Sequence, residues 1–186
     1  MELKDYLTII IPSFVTLLGF VVSFRINKRE HLQSMQEFKL EKQLSDLYGL
    51  QKDVFNYIDM ICLLIAHPNK TPTGFDELQD KIYSTVICAG SEDSVKLIVY
   101  IRNLICAGLD DNIEVSNREL IAAYVLLAMQ IKYDTTGIKT SPNTWYIGKF
   151  TTQKILETSD FYNESVNHVN SIVEKLKLEE FLRIIL

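Results

Sequence analysis

The 186-residue sequence has few of the residues that build metal or catalytic centres. Its three cysteines and three histidines fall in no CxxC or HExxH spacing. The phosphate-binding patterns GxGxxG and GxxxxGK[ST] and the nucleophile pattern GxSxG do not occur either. We therefore expect a protein that is not an enzyme and that needs no metal or other cofactor.

The cysteines are too few and too scattered to form a disulfide framework. Cys62, Cys88 and Cys106 are an odd number, and each lies in an apolar stretch with helical spacing. This placement is typical of small buried core residues, and it agrees with an intracellular body.

Strands are not indicated anywhere, because strict alternation of apolar and polar residues is lacking. Seven glycines and four prolines separate long runs in which apolar residues recur every three or four positions. The pattern predicts an all-α protein in which one N-terminal transmembrane helix continues into a stalk and a cytosolic bundle of about five or six helices. We assign residues 1–24 to a short outer tail and the span, 25–66 to the stalk helix entering the bundle, and 67–186 to the helical domain.

Charge is missing from one segment, the nineteen residues from Tyr6 to Phe24. A helix of that length is about 28 Å long, which is close to the hydrocarbon thickness of a bilayer. Arg25, Lys28 and Arg29 follow at once, and such cations mark the cytoplasmic side. We expect a single-pass membrane protein, in contact with lipid, with the N-terminus outside and the remaining domain in the cytoplasm.

Capping signals place the later helices. The spacing predicts a helix over 75–89 closed by Gly90, and a second that begins after Ser91 and ends near Ala107. Ser116 and Glu119 have the spacing of a capping box, and they open a run that is apolar nearly all round and suits the central helix. A loop is predicted over 133–142, followed by helices over about 144–158 and 160–186.

Small and weakly polar residues form a stripe along one face of the predicted span. Their spacing of three or four residues puts them on one side of a helix, while bulky residues occupy the other side. The stripe and its continuation are Thr8, Pro12, Thr16, Gly19, Ser23 and Asn27. It predicts self-association, either as a tight packing seam or as the wall of a narrow pore whose selectivity would depend on rings of Asn27 and Glu30.

A basic and aromatic island lies in this otherwise acidic protein, whose net charge is −5. Between residues 132 and 154 four lysines accompany one acid, beside the single tryptophan. The candidate ligand-binding residues are Lys132, Tyr133, Lys139, Trp145, Tyr146, Lys149 and Lys154. Cations for phosphates and rings for bases suit a nucleotide or single-stranded nucleic acid, and the segment 141–144 adds a helix N-terminus that favours an anion. The same residues would also suit a core cap with solvated lysines.

The layout resembles the small single-pass membrane effectors of bacterial antiphage defence. The resemblance covers the short outer tail, the patterns IPSF, LLGF and SF of the span, the charged NKRE junction and the helical body. Among these effectors the chain is most similar to the Hailong-type ion-channel effector. The resemblance implies a homo-oligomeric channel of the bacterial inner membrane, expected to be a tetramer. It also implies control by single-stranded DNA oligomers from a partner nucleotidyltransferase.

Two functions of different classes remain open. The first is an abortive-infection membrane effector whose pooled spans form a pore gated by a nucleotide or oligonucleotide at the cytosolic domain. The second is a membrane-tethered helical adaptor that forms no pore and docks a protein partner through the apolar end LEEFLRIIL. A channel must be multimeric and toxic when ungated, whereas an adaptor need be neither.

Overall fold

The computed structural model describes residues 3–108, 116–149 and 160–185, and the side chains of all of these except residues 3–19 and Val21. Every regular element in these ranges is helical, which confirms the all-α fold class. The elements are α1 (Leu3–Tyr48), α2 (Leu50–Ala66), α3 (Phe75–Ala89), α4 (Glu92–Ala107), α5 (Asn117–Thr136), α6 (Asn143–Lys149), α7 (Asp160–Leu176) and a 3-10 turn (Glu180–Leu182).

The chain forms two compact units, Met1–Lys42 and Gln43–Leu186. In the first unit α1 runs without a break, and between residues 22 and 43 every side chain is exposed. Among the residues that the structure describes, no helix combines the length and the apolar character that crossing a membrane requires. The side chains of most of the predicted span, 6–24, lie outside the described set, so the span stays a prediction.

The second unit is a helical bundle built around α5. All eleven residues of α5 from Ile121 to Ile131 are buried, because α5 packs against α2, α4 and α7. The prediction that this nearly all-apolar run forms the central helix is confirmed. Its helix continues to Thr136, where Gly137 ends it with φ of +69°, so the predicted loop begins four residues later than expected.

The boundaries of α3 and α4 agree with the predicted caps. The Ser91 hydroxyl accepts a hydrogen bond from the Ser94 amide at 3.2 Å, which satisfies one free donor of the first turn of α4. Gly90 is required between the two helices, because a Cβ there would lie 2.6 Å from the Val86 carbonyl oxygen.

The predicted capping box at the start of α5 is wrong, although the helix begins where expected. The Ser116 side chain makes no cap hydrogen bond. The Glu119 carboxylate instead accepts a hydrogen bond from the Tyr100 hydroxyl of α4 at 2.5 Å, and the Lys175 ammonium lies 4.9 Å from the Tyr100 ring centre. The Glu119 carboxylate therefore bonds to a side chain of another helix and not to the backbone at the start of α5, as a capping box would require.

The end of the second unit folds back on the bundle. After α7 the chain turns at Lys177, which has φ of +53°, and the Leu178 amide donates to the Val173 carbonyl at 3.0 Å, as in a Schellman motif. Asn170 then holds the returning backbone, since its amide donates to the Ile184 carbonyl and its oxygen accepts from the Ile184 amide, each at 3.0 Å. The predicted helix over 160–186 is therefore shorter, but its apolar residues still reach the core.

The burial predicted for the cysteines is wrong in two of three positions. Cys88 and Cys106 are exposed, and Cys62 is half-buried against the core. The error has a simple cause: one cysteine on an apolar helix can occupy the edge of the buried stripe as easily as its centre. Burial raises the pKa of the Cys62 thiol.

The buried tyrosines predict alkaline instability of the second unit. Burial raises the pKa of Tyr124 to about 12 from an unfolded value of about 10, because the folded protein favours the neutral phenol. This contribution to stability is fully present below pH of about 10 and falls as the pH rises towards about 12. We expect Tyr124→Phe to reduce that loss, as measured by denaturant unfolding across this pH range.

The matched control for this test is Tyr48→Phe, since the Tyr48 ring is 80% exposed. Its pH profile should follow that of the wild type. Tyrosinate absorbance from Tyr124 in the native protein at pH of about 10 would contradict the prediction.

Candidate functional site

The six positions of the predicted stripe all lie on α1. Because α1 is one uninterrupted helix over these positions, they fall within an arc of about 100° at about 100° per residue. The side chains of Thr8, Pro12, Thr16 and Gly19 are outside the described set, while those of Ser23 and Asn27 are exposed. The shared face is thus a property of the backbone, and the pore or seam function of its side chains stays a prediction.

The first half of the lysine-aromatic island lies at the end of α5. The Lys139 ammonium lies 2.8 Å from a Glu179 carboxylate oxygen and 5.5 Å from the ring centres of both Tyr133 and Phe181. The hydrogen bond to Glu179 raises the pKa of Lys139. This cation therefore stays charged, but a carboxylate already neutralises it.

The second half of the island lies on α6. Tyr146 is fully buried, with its ring centre 5.0 Å from that of Trp145, and Trp145 packs partly buried against the core. The Lys149 ammonium forms an ion pair with Asp59 of α2. Lys154 falls outside the described residues, so its role stays a prediction.

The geometry separates the parts that the sequence grouped together. Tyr146 cannot stack on a base while its ring fills the core, and Trp145 offers only part of its surface. Lys132 and Tyr133 are half-buried, and Lys139 and Lys149 are exposed. A ligand site in this region would consist of exposed lysines and partly accessible rings, with Tyr146 acting as structural support.

The N-terminus of α6 offers no free donors to an anion in its first turn. The backbone amide of Asn143 donates to the Ser141 hydroxyl at 3.3 Å, and that of Thr144 donates to the Ser141 backbone carbonyl at 3.0 Å. The Trp145 amide donates to the Pro142 carbonyl, also at 3.0 Å. The helix begins where it was predicted, but these amides already have partners within the chain.

One polar cluster was missed by the sequence reasoning. The Asp134 carboxylate accepts a hydrogen bond from the buried Ser94 hydroxyl at 2.6 Å and another from the buried Gln130 amide at 2.9 Å. In the sequence Asp134 stands out only as the single acid of the island. It joins α4 to α5, and the i,i+4 spacing of Gln130 and Asp134 was the one available signal.

Two concavities of the second unit are not lined by the island. One is a cavity of about 10 Å³ beside Tyr83, Arg102 and Tyr124, which holds no more than a water molecule. The other is an open groove of about 370 Å³ that is bordered by Asp46 and Lys81. Lys81 is already paired with Asp53 at 2.7 Å, so the groove offers no unpaired lysine to a phosphate.

Comparison with known proteins identifies no relative of this chain. No protein-family model matches the chain, and no curated protein and no solved structure is significantly similar to it.

Proposed function

We propose that this protein is a membrane effector of a bacterial antiphage system, in which several copies form an ion channel. The spans of identical chains, with a tetramer as the expected assembly, associate through the stripe from Thr8 to Ser23 in the inner membrane. The second unit lies in the cytoplasm and controls the channel when it binds a nucleotide or a single-stranded DNA oligomer. A partner nucleotidyltransferase supplies that ligand.

The continuity of α1 is the observation that carries this proposal. A single helix of 46 residues, about 69 Å long, joins the uncharged segment to the bundle. Beyond the uncharged segment it still exposes large apolar side chains, among them Phe24 at 61% and Phe38 at 65%. Exposed apolar side chains of this size suit contact with lipid or with another protein, so lipid and other copies of the chain are the expected partners.

Control by a polyanion fits the ion pairs of the second unit. Lys139 is paired with Glu179, and Lys149 with Asp59. A phosphate backbone would compete with these carboxylates for the lysines. Binding can shift the channel between two states only if the ligand has different affinities for them, as it would if the lysine–carboxylate pairs were intact in only one of the two states.

The tethered adaptor is the alternative, and the geometry of its proposed docking segment weighs against it. Leu178, Leu182 and Ile184 of LEEFLRIIL are buried in the bundle core, whereas Ile185 is 89% exposed. A partner that used the whole segment would have to remove it from the core.

Ion flux from liposomes containing the purified full-length protein tests the proposed function. We expect flux that changes when short single-stranded oligonucleotides are added. Gly19→Leu should abolish it, because added bulk on the stripe prevents close approach of the spans. The matched control is Val21→Phe, which also adds four carbon atoms but on the opposite face, and it should leave flux unchanged.

Two outcomes would contradict the channel. The first is absence of flux from protein whose helical circular dichroism shows that it is folded. The second is equal flux from the Gly19→Leu and Val21→Phe proteins, which would mean that the leak does not pass through the stripe.

A further inference from the structure

The segment after α7, residues 177–185, brings an anion and an aromatic ring to the lysine-aromatic island. We call this segment the strap. Its Glu179 carboxylate lies 2.8 Å from the Lys139 ammonium, and its Phe181 ring centre lies 5.0 Å from that of Tyr133. The Lys139 ammonium is also 5.5 Å from both ring centres, which is within the range of a cation–π attraction. Two side chains of the strap therefore contact two candidate ligand-binding residues of the island.

These contacts have the same chemistry as those of a bound nucleotide. A phosphate accepts charge-assisted hydrogen bonds from an ammonium, as the Glu179 carboxylate does here from Lys139. A base stacks on an aromatic side chain, and the Phe181 ring packs on Tyr133 with an angle of 51° between the ring planes. The strap thus supplies an anion and a ring that are two residues apart in the sequence.

We propose that Tyr133 and Lys139 form a binding site for one nucleotide, and that Glu179 and Phe181 of the strap occupy it as internal substitutes for the phosphate and the base. This inference rests on the proposed control by a nucleotide or oligonucleotide. It specifies where one nucleotide of that ligand binds and which side chains it displaces.

A ligand in solution can reach the ion pair and compete for it. The Lys139 side chain is 56% exposed and that of Glu179 is 40% exposed. Ion pairs between exposed side chains contribute little to stability, so the exchange of one anion for another costs little. A carboxylate and a phosphate on the same ammonium repel each other. Binding of the phosphate therefore favours the state in which Glu179 has turned towards solvent.

Only a short turn of the strap has to move. Leu178 and Leu182 are buried in the core and hold the strap on both sides of Phe181, which is only partly buried. The 3-10 turn Glu180–Leu182 lies between these anchors, and the Leu182 amide donates to the Glu179 carbonyl at 3.0 Å. Single turns of this kind have weaker hydrogen-bond geometry than an α-helix. Glu179 and Phe181 can therefore turn away while the apolar anchors stay in place.

The ion pair between Lys149 and Asp59 offers a matched comparison. Both of its side chains are exposed, as in the pair of the strap. Tyr146, on the same helix as Lys149, is fully buried and cannot stack on a base. Asp59→Asn and Glu179→Gln make the same change in charge, but only the second frees a lysine beside the Tyr133 ring.

Binding of two small probes to the full-length protein in detergent tests the site. One probe is deoxyadenosine monophosphate, and the other is deoxyribose 5-phosphate, which has the sugar and the phosphate without the base. Both are radiolabelled, and their affinities are measured by equilibrium dialysis. The variants are E179Q, F181A, D59N and the double variant K139Q/E179Q.

We expect E179Q to bind both probes about two- to fivefold more tightly than the wild type, because the competing carboxylate is gone. F181A should bind only the probe with the base more tightly, by about fivefold or more, since the Tyr133 ring becomes free for stacking. D59N should bind both probes like the wild type. K139Q/E179Q should lose the gain of E179Q, because the ammonium that binds the phosphate is missing. A gain in affinity does not arise from misfolding.

Three results would overturn the inference. The first is no gain in either E179Q or F181A. The second is an equal gain in E179Q and D59N, which would mean that any change in charge acts alike. The third is a gain of F181A for both probes, which would mean that a loosened strap, and not a vacated base position, raises affinity.

The proposed channel is judged separately by ion flux. Flux that changes with oligonucleotides, without the expected effects of E179Q and F181A on probe binding, would remove this site and leave the channel. The expected binding without flux would remove the channel and leave the nucleotide site.

Discussion

Replacing Leu126 by alanine is expected to lower the free energy of unfolding of the second unit by about 3 kcal/mol. Leu126 is fully buried at the middle of α5, and its neighbours along the helix from Ile121 to Ile131 are buried as well. Removal of three carbon atoms there loses their transfer energy and leaves a cavity that such tightly surrounded side chains cannot close. Denaturant unfolding followed by circular dichroism measures the change.

Leu63→Ala is the matched control, because it removes the same three carbon atoms from a side chain that is 56% exposed. We expect its effect to stay within about 0.5 kcal/mol. If the two variants lose similar stability, α5 is not the centre of the bundle.

Replacing Tyr146 by alanine is expected to cost about 3 to 5 kcal/mol, as for other buried aromatic residues. The Tyr146 ring is fully buried, and it packs edge-on against Trp145 at 5.0 Å and against Tyr162 at 6.0 Å between ring centres. The seven-residue α6 has too few internal hydrogen bonds to persist without this anchor. Thermal unfolding and Trp145 fluorescence should both change.

Tyr146→Phe separates the ring from the hydroxyl. Burial raises the pKa of the Tyr146 phenol, and a contact of its hydroxyl with the Ser165 hydroxyl partly offsets that rise, although this contact falls outside ordinary hydrogen-bond geometry. The phenylalanine variant should therefore lose no more than about 1 kcal/mol of stability. A stable Tyr146→Ala protein that has lost oligonucleotide binding would instead make Tyr146 a ligand residue.

Local signals in the sequence predicted the helices well, but they did not predict the partners of polar side chains. The ends of α3 and α4 depend on Gly90 and Ser91, which act on the adjacent turn and are therefore visible in the sequence. Glu119 shows the limit of such signals. Its spacing from Ser116 suits a capping box, but the Tyr100 hydroxyl from another helix takes its carboxylate.

The island shows the same limit at the candidate site. Lys139 meets Glu179 across 40 residues, and Lys149 meets Asp59 across 90. The net charge of the segment 132–154 includes these lysines but not the distant acids that pair with them. It therefore overstates the positive potential available to a ligand. The burial of Tyr146 is likewise set by packing between helices that are distant in sequence.

The unbroken course of α1 also constrains motion. Because the backbone is one helix from Leu3 to Tyr48, a rotation about the helix axis at residue 20 turns residue 40 by a similar angle. If the uncharged segment is held in a membrane, as proposed, the exposed segment that follows it cannot turn independently.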